Sequence, residues 1–113
     1  MTQQPSRFQA VVFWEDGWWI AVCLQHGLVT YAREREQIGP ELQRLLRVQI
    51  EASRLHGLRP FNALPVAPAE YWRMYADRNG AQPEAYELPE GFSVEAFEVS
   101  AHGADAHLIA VGR

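Results

Sequence analysis

Residues 8–33, FQAVVFWEDGWWIAVCLQHGLVTYAR, decide how the rest of this chain is read. Three runs of β-branched and aromatic residues are split by Glu15-Asp16-Gly17 and by Gln25-His26-Gly27. Asp-Gly between such runs marks a two-residue hairpin loop, because both central residues of that turn need positive φ. The register follows: Trp14 opposite Trp19, Val12 opposite Ala21 and Ala10 opposite Cys23, all on one face by the period-2 alternation of a strand. Val11, Phe13, Ile20, Val22 and Leu24 take the other face. The expected strands are Arg7–Glu15, Trp18–Gln25 and Leu28–Arg33.

Both faces of this meander are apolar, so both need cover. Glu41–His56 reads as a helix with Leu42, Leu45, Leu46, Ile50 and Ala52 on one broad stripe, and Gln43, Arg44, Arg47, Glu51 and Arg54 opposite. Pro40 suits its first turn and Gly57 its C′ position; Arg35–Ile38 reads as an N-terminal helical extension, separated from it because Gly39-Pro40 argues against one uninterrupted helix from Glu34. The stripe is expected on the Val11, Phe13, Ile20, Val22, Leu24 face, whose large side chains can fill helix–sheet space. The Trp14 and Trp19 face is then left for the aromatic tail or for a partner.

Beyond Gly57 the chain is punctuated by Pro60, Pro65 and Pro68, then reads as a short helix over Pro68–Asn79 carrying Tyr71, Trp72, Met74 and Tyr75. A loop is expected from Ala81 to Gly91. Strands at Phe92–Ala101 and His107–Gly112 form a terminal hairpin around residues 102–105. The fold class is α+β: a three- or four-stranded antiparallel β-β-β-α unit, finished by a short helix and a hairpin. At 113 residues it is one domain, with a core at 7–57, a Pro-rich loop and short helix at 58–91, and the hairpin at 92–113.

Composition sets limits on function. With 48% hydrophobic and 21% charged residues, the chain has the make-up of a globular protein. No run approaches the length of a membrane span and the polar start MTQQPSR is no signal sequence, so a cytoplasmic location is expected. All ten basic residues are arginine, and the net charge is −4. Residues 33–59 hold six Arg against four acids, whereas residues 84–113 hold six acids against Arg113 alone. An acidic end disfavours a polyanion and suits a basic protein partner. The short helix carries only Arg73 and Arg78, balanced by Glu70 and Asp77, and Glu95 and Glu98 follow, so sequence-specific DNA binding is not expected.

No catalytic motif is present: no phosphate-binding loop, dinucleotide fingerprint, zinc quartet or nucleophile elbow. Cys23 belongs in a strand and His26 in a turn, which specifies no thiol–imidazole pair. His102 and His107 lack a third ligand. His56 beside Gly57 suits a helix C-terminus. Neither enzyme activity nor a cofactor or metal is expected. Partner contact is expected at Trp14, Trp19, Tyr71, Trp72 and Tyr75, aromatics of the kind enriched in hot spots, and at the acids Glu84, Glu87 and Glu90. Excess apolar area also predicts a homo-oligomer, a dimer first.

The run Asp16-Gly17-Trp18-Trp19, Ala21, Cys23-Leu24 and Val29-Thr30, followed at once by an amphipathic helix, resembles the HicB-like domain of bacterial HicA/HicB toxin–antitoxin systems. Arg59-Pro60-Phe61, Pro65, Ala67-Pro68 and Glu70-Tyr71-Trp72 resemble one branch of that family, while Gly27 and Glu34 depart from its pattern. The resemblance spans about the first two-thirds of the chain and implies a partial RNase H-like unit. It further implies an antitoxin that covers the active surface of a small HicA-type RNA-cleaving toxin, without the C-terminal DNA-binding domain common in full HicB antitoxins. The alternative is a HicB-like structural or adaptor subunit of a bacterial defence or regulatory assembly with no toxin partner.

Overall fold

A computed structural model describes residues 6–61 and 64–100. Strands β1 (Arg7–Glu15), β2 (Trp18–Cys23) and β3 (Val29–Ala32) form the meander, followed by helix α1 (Arg35–Leu55), helix α2 (Ala69–Ala76) and strands β4 (Glu84–Glu87) and β5 (Ser93–Glu98). The sheet order is β3-β2-β1-β5-β4. Asp16 and Gly17 turn the first hairpin at φ 55° and 86°, and Ala10 pairs with Cys23, Val12 with Ala21 and Trp14 with Trp19, as the Asp-Gly signal requires.

The sheet is mixed and five-stranded, which corrects the expectation of an antiparallel sheet of three or four strands. β5 lies beside β1 in parallel, Phe8 level with Val94 and Ala10 with Ala96, and β4 flanks β5 antiparallel. The hairpin of this region is therefore β4–β5, joined through a single 3-10 turn at Pro89–Gly91, where a loop was expected over Ala81–Gly91. The strand expected at His107–Gly112 lies outside the described residues, as do His102 and His107.

α1 begins at Arg35, not after Gly39-Pro40, and Pro40 sits inside it. Proline clashes chiefly with the Cβ of the residue before it, and Gly39 has none, so the helical conformation survives at the cost of one hydrogen bond to Glu36. Gly39 also faces the ring of Tyr86 so closely that a Cβ there would collide with the hydroxyl. The helix stops in a Schellman motif: the Leu58 N–H reaches the Ser53 carbonyl at 2.8 Å and Gly57, at φ 69°, reaches Arg54 at 3.1 Å. α2 is shorter than the expected Pro68–Asn79, with Pro68 as its N-cap.

The face assignment is inverted relative to the expectation from side-chain size. α1 buries Ile38, Leu42, Leu46 and Ile50 against Ala10, Val12, Ala21, Cys23, Val94 and Ala96. Large helix side chains need room below them, and small strand residues provide it. The opposite face, Val11, Phe13, Val22 and Leu24, meets Ala67, Met74, Tyr71, Trp72 and Tyr75. The aromatic tail thus covers the large-residue face, not the Trp14 and Trp19 face.

The uneven charge is largely settled within the fold. Arg35 Nε donates to Glu98 at 2.7 Å and its Nη2 to Glu84 at 3.2 Å, tying the start of α1 to β4 and β5. Arg54 reaches Glu90 at 3.4 Å. Burial works against the Arg35 charge, but its hydrogen bonds and ion pairs with Glu98 and Glu84 outweigh burial and raise its pKa.

Candidate functional site

The eight residues of α2 are too few to cover five strands. Tyr71 stacks on Phe13 at 6.1 Å between ring centroids and Tyr75 packs edge-on to Phe97 at 5.4 Å, so the helix covers the β1–β5 half of its face. Val22 in β2 and Leu24 just after it are buried, while the β3 margin and the Trp18 end of β2 stay open. There Trp18 is 37% exposed, Val29 38% and Tyr31 56%. Alternation puts them on one face: Tyr31 is level with Ile20, and Trp18 lies two residues from Ile20.

These side chains are ordered by one another. The Arg33 guanidinium lies 3.7 Å above the Trp18 ring, and Nη1 donates to the Gly17 carbonyl at 3.3 Å. A stacked guanidinium is held flat while its outer N–H groups remain available. Trp18 meets Tyr31 edge-on at 6.3 Å. Tyr71 borders the patch, and burial raises its phenol pKa, with Glu70, Glu15 and Tyr31 adding to the rise, so it remains a neutral hydrogen-bonding group. Among the described residues β3 pairs only with β2 and is an edge of the sheet.

The expected contact residues are not brought together. Trp14 is 48% exposed and packs edge-on to Trp19 at 5.5 Å, both on the α1 face. Trp19 is half-buried against the core with Arg35 5.4 Å above it. Tyr71, Trp72 and Tyr75 are half-buried on the other face, and Arg78 covers Tyr75 at 4.0 Å while its Nη1 donates to the Tyr75 carbonyl. Glu84 and Glu90 are engaged by Arg35 and Arg54; the Glu87 carbonyl accepts from Gln43 Nε2 at 2.8 Å. The exposed cluster of Trp18, Tyr31 and Arg33 was not among the residues expected from the sequence. Their signal was present, since Val29, Tyr31 and Arg33 alternate with Thr30 and Ala32 along a strand beside Trp18.

Cys23 and His26 lie near each other but are chemically quiet. Burial pushes the Cys23 thiol up to about 11, against the lowering effect of backbone hydrogen bonds from His26 and Gln25, so it is protonated at neutral pH. The His26 ring stacks on Phe61 at 4.4 Å and meets Phe8 edge-on at 4.9 Å; burial lowers its pKa, and its Nδ1 has no hydrogen-bond partner among the described residues. Among the described residues no three His, Cys, Asp or Glu side chains are grouped to hold a metal ion, and no helix is long and apolar enough to cross a membrane. Comparison with family models, with curated proteins and with solved structures finds no match in any of the three.

Proposed function

We propose that this chain is a protein-binding module whose working surface is the β3 margin of the sheet, with the Trp18 end of β2, that α2 leaves uncovered. The observation that carries the reading is the cluster of Trp18, Tyr31 and stacked Arg33, exposed side by side at a sheet edge. Tryptophan, tyrosine and arginine are the residues enriched in interface hot spots, and preordered side chains lose little entropy on binding. The open edge of β3 adds backbone groups with which an extended segment of a partner can pair, its side chains falling on the aromatic face.

The partner in this proposal is a small basic HicA-type toxin, held inactive by occlusion of its RNA-binding surface. Support comes from the resemblance of the Asp16-Gly17-Trp18-Trp19 hairpin and from the β-β-β-α order that it implies. Glu15 and Glu70 beside Tyr71 give the patch an acidic border suited to such a partner. The test is calorimetric titration against a small basic HicA-type toxin, together with its RNA cleavage. Wild type binds and stops cleavage, and the double variant Trp18→Ala, Tyr31→Ala binds at least about thirtyfold more weakly, the loss of a hot spot of about 2 kcal/mol. Uninhibited cleavage with wild type, or undiminished binding by a folded double variant, overturns the proposal.

A further inference from the structure

The apolar stripe of α1 divides in two. Ile38, Leu42, Leu46 and Ile50 enter the core, whereas Leu45, Val48, Ala52 and Leu55 belong to neither core cluster. Val48 is 46% exposed and Leu55 84%. Their spacing of three, four and three residues is that of a helix–helix seam. The opposite flank of α1 faces β4: Gly39 abuts Tyr86, Gln43 bonds to Glu87 and Arg54 to Glu90. The seam is therefore turned toward the β3 margin, on the sheet face away from Trp18 and Tyr31.

We infer that this seam is where a second copy of the chain docks, α1 against α1 in antiparallel. Self-complementarity identifies the occupant. Arg44 and Glu51 border the seam on its solvent side, one residue before Leu45 and Ala52 respectively. A two-fold axis beside Val48 sets Leu45 of each copy over the other's Ala52, large on small, and Arg44 of each over the other's Glu51. Among the described residues Arg44 pairs with the half-buried Glu41 one turn away, at 2.9 Å, a surface pair that exchanges readily. Antiparallel helices also align their dipoles favourably.

Sedimentation velocity of the full chain, from about 1 to about 500 µM, tests this, with circular dichroism to establish folding of each variant. Wild type passes from monomer to dimer, and Val48→Glu weakens the dimer at least about tenfold by placing two carboxylates at the axis. Arg44→Glu and Glu51→Arg each weaken it, and the two together restore it. The Trp18→Ala, Tyr31→Ala variant dimerises as wild type does, which separates this interface from the proposed partner surface. A monomer at every concentration, a dimer indifferent to Val48→Glu, a double charge exchange no better than the single ones, or a dimer lost with Trp18 and Tyr31 each overturns the inference.

Discussion

The two faces of the sheet are built on opposite plans. Under α1 the strands present Ala10, Val12, Ala21, Cys23 and Ala96, and the helix supplies the volume through Ile38, Leu42, Leu46 and Ile50. Under α2 the strands supply the volume themselves, with Val11, Phe13, Val22 and Leu24, and the cover is a single short helix and the chain leading into it. A 21-residue helix over small residues buries its face except at Trp14; an eight-residue helix and the chain leading into it, over large residues, leave Trp18, Val29 and Tyr31 exposed at the β3 margin. Stability is thereby concentrated on one side, and the exposed Trp18, Tyr31 and Arg33 cluster lies on the other.

That division can be broken by mutation. Leu46→Ala on the sealed face costs about 2–5 kcal/mol in urea unfolding, more than Met74→Ala at the α2 margin. A larger loss at Met74 would make α2 the principal cover. Overpacking gives the next effect: Ala21→Leu intrudes on α1 and costs about 1–3 kcal/mol, read as a drop in melting temperature. A smaller cost would mean that the space below α1 is not filled.

The pH dependence sharpens the comparison on the sealed side, where His26 stacks in a cage of Phe8 and Phe61. Burial lowers its folded pKa below the ordinary 6.5, so the unfolded chain takes up the proton first. Its stabilising contribution is full above the unfolded value and is lost as pH falls through the folded one. Chemical denaturation between about pH 7 and pH 5 therefore shows a fall in stability that His26→Gln reduces. The smallest effect belongs to the open face: Trp18→Ala changes stability by no more than about 0.5–1 kcal/mol while partner binding falls.

The first hairpin was legible down to its register, because Asp16-Gly17 admits one loop length and alternation then fixes every pair. The Gly57 stop of α1 was legible for a similar local reason. Which face α1 covers was not, since periodicity reports that a face is apolar but not whether its volume matches the cover. Gly39-Pro40 misled because the rule against proline in helices weakens when the preceding residue has no Cβ. β4 was hidden in the charged run EAYE, whose strand form comes from its place beside β5. At the candidate site the aromatics of the hairpin stood out, but Tyr31 and Arg33 became visible only once the reach of α2 was known.

The parallel pairing of β1 with β5 sets an order of assembly. Gln9 and Glu95 bond across this seam although 86 residues separate them. The meander and α1 close only short loops, whereas the β1–β5 seam must wait for nearly the whole intervening chain. Until then β1, the future centre of the sheet, is an edge whose row of unpaired N–H and C=O groups is open to other chains. A nascent or truncated chain that has passed Gly57 but lacks β5 thus holds its most aggregation-prone strand uncovered, and the closing of β5 is the event that ends that exposure.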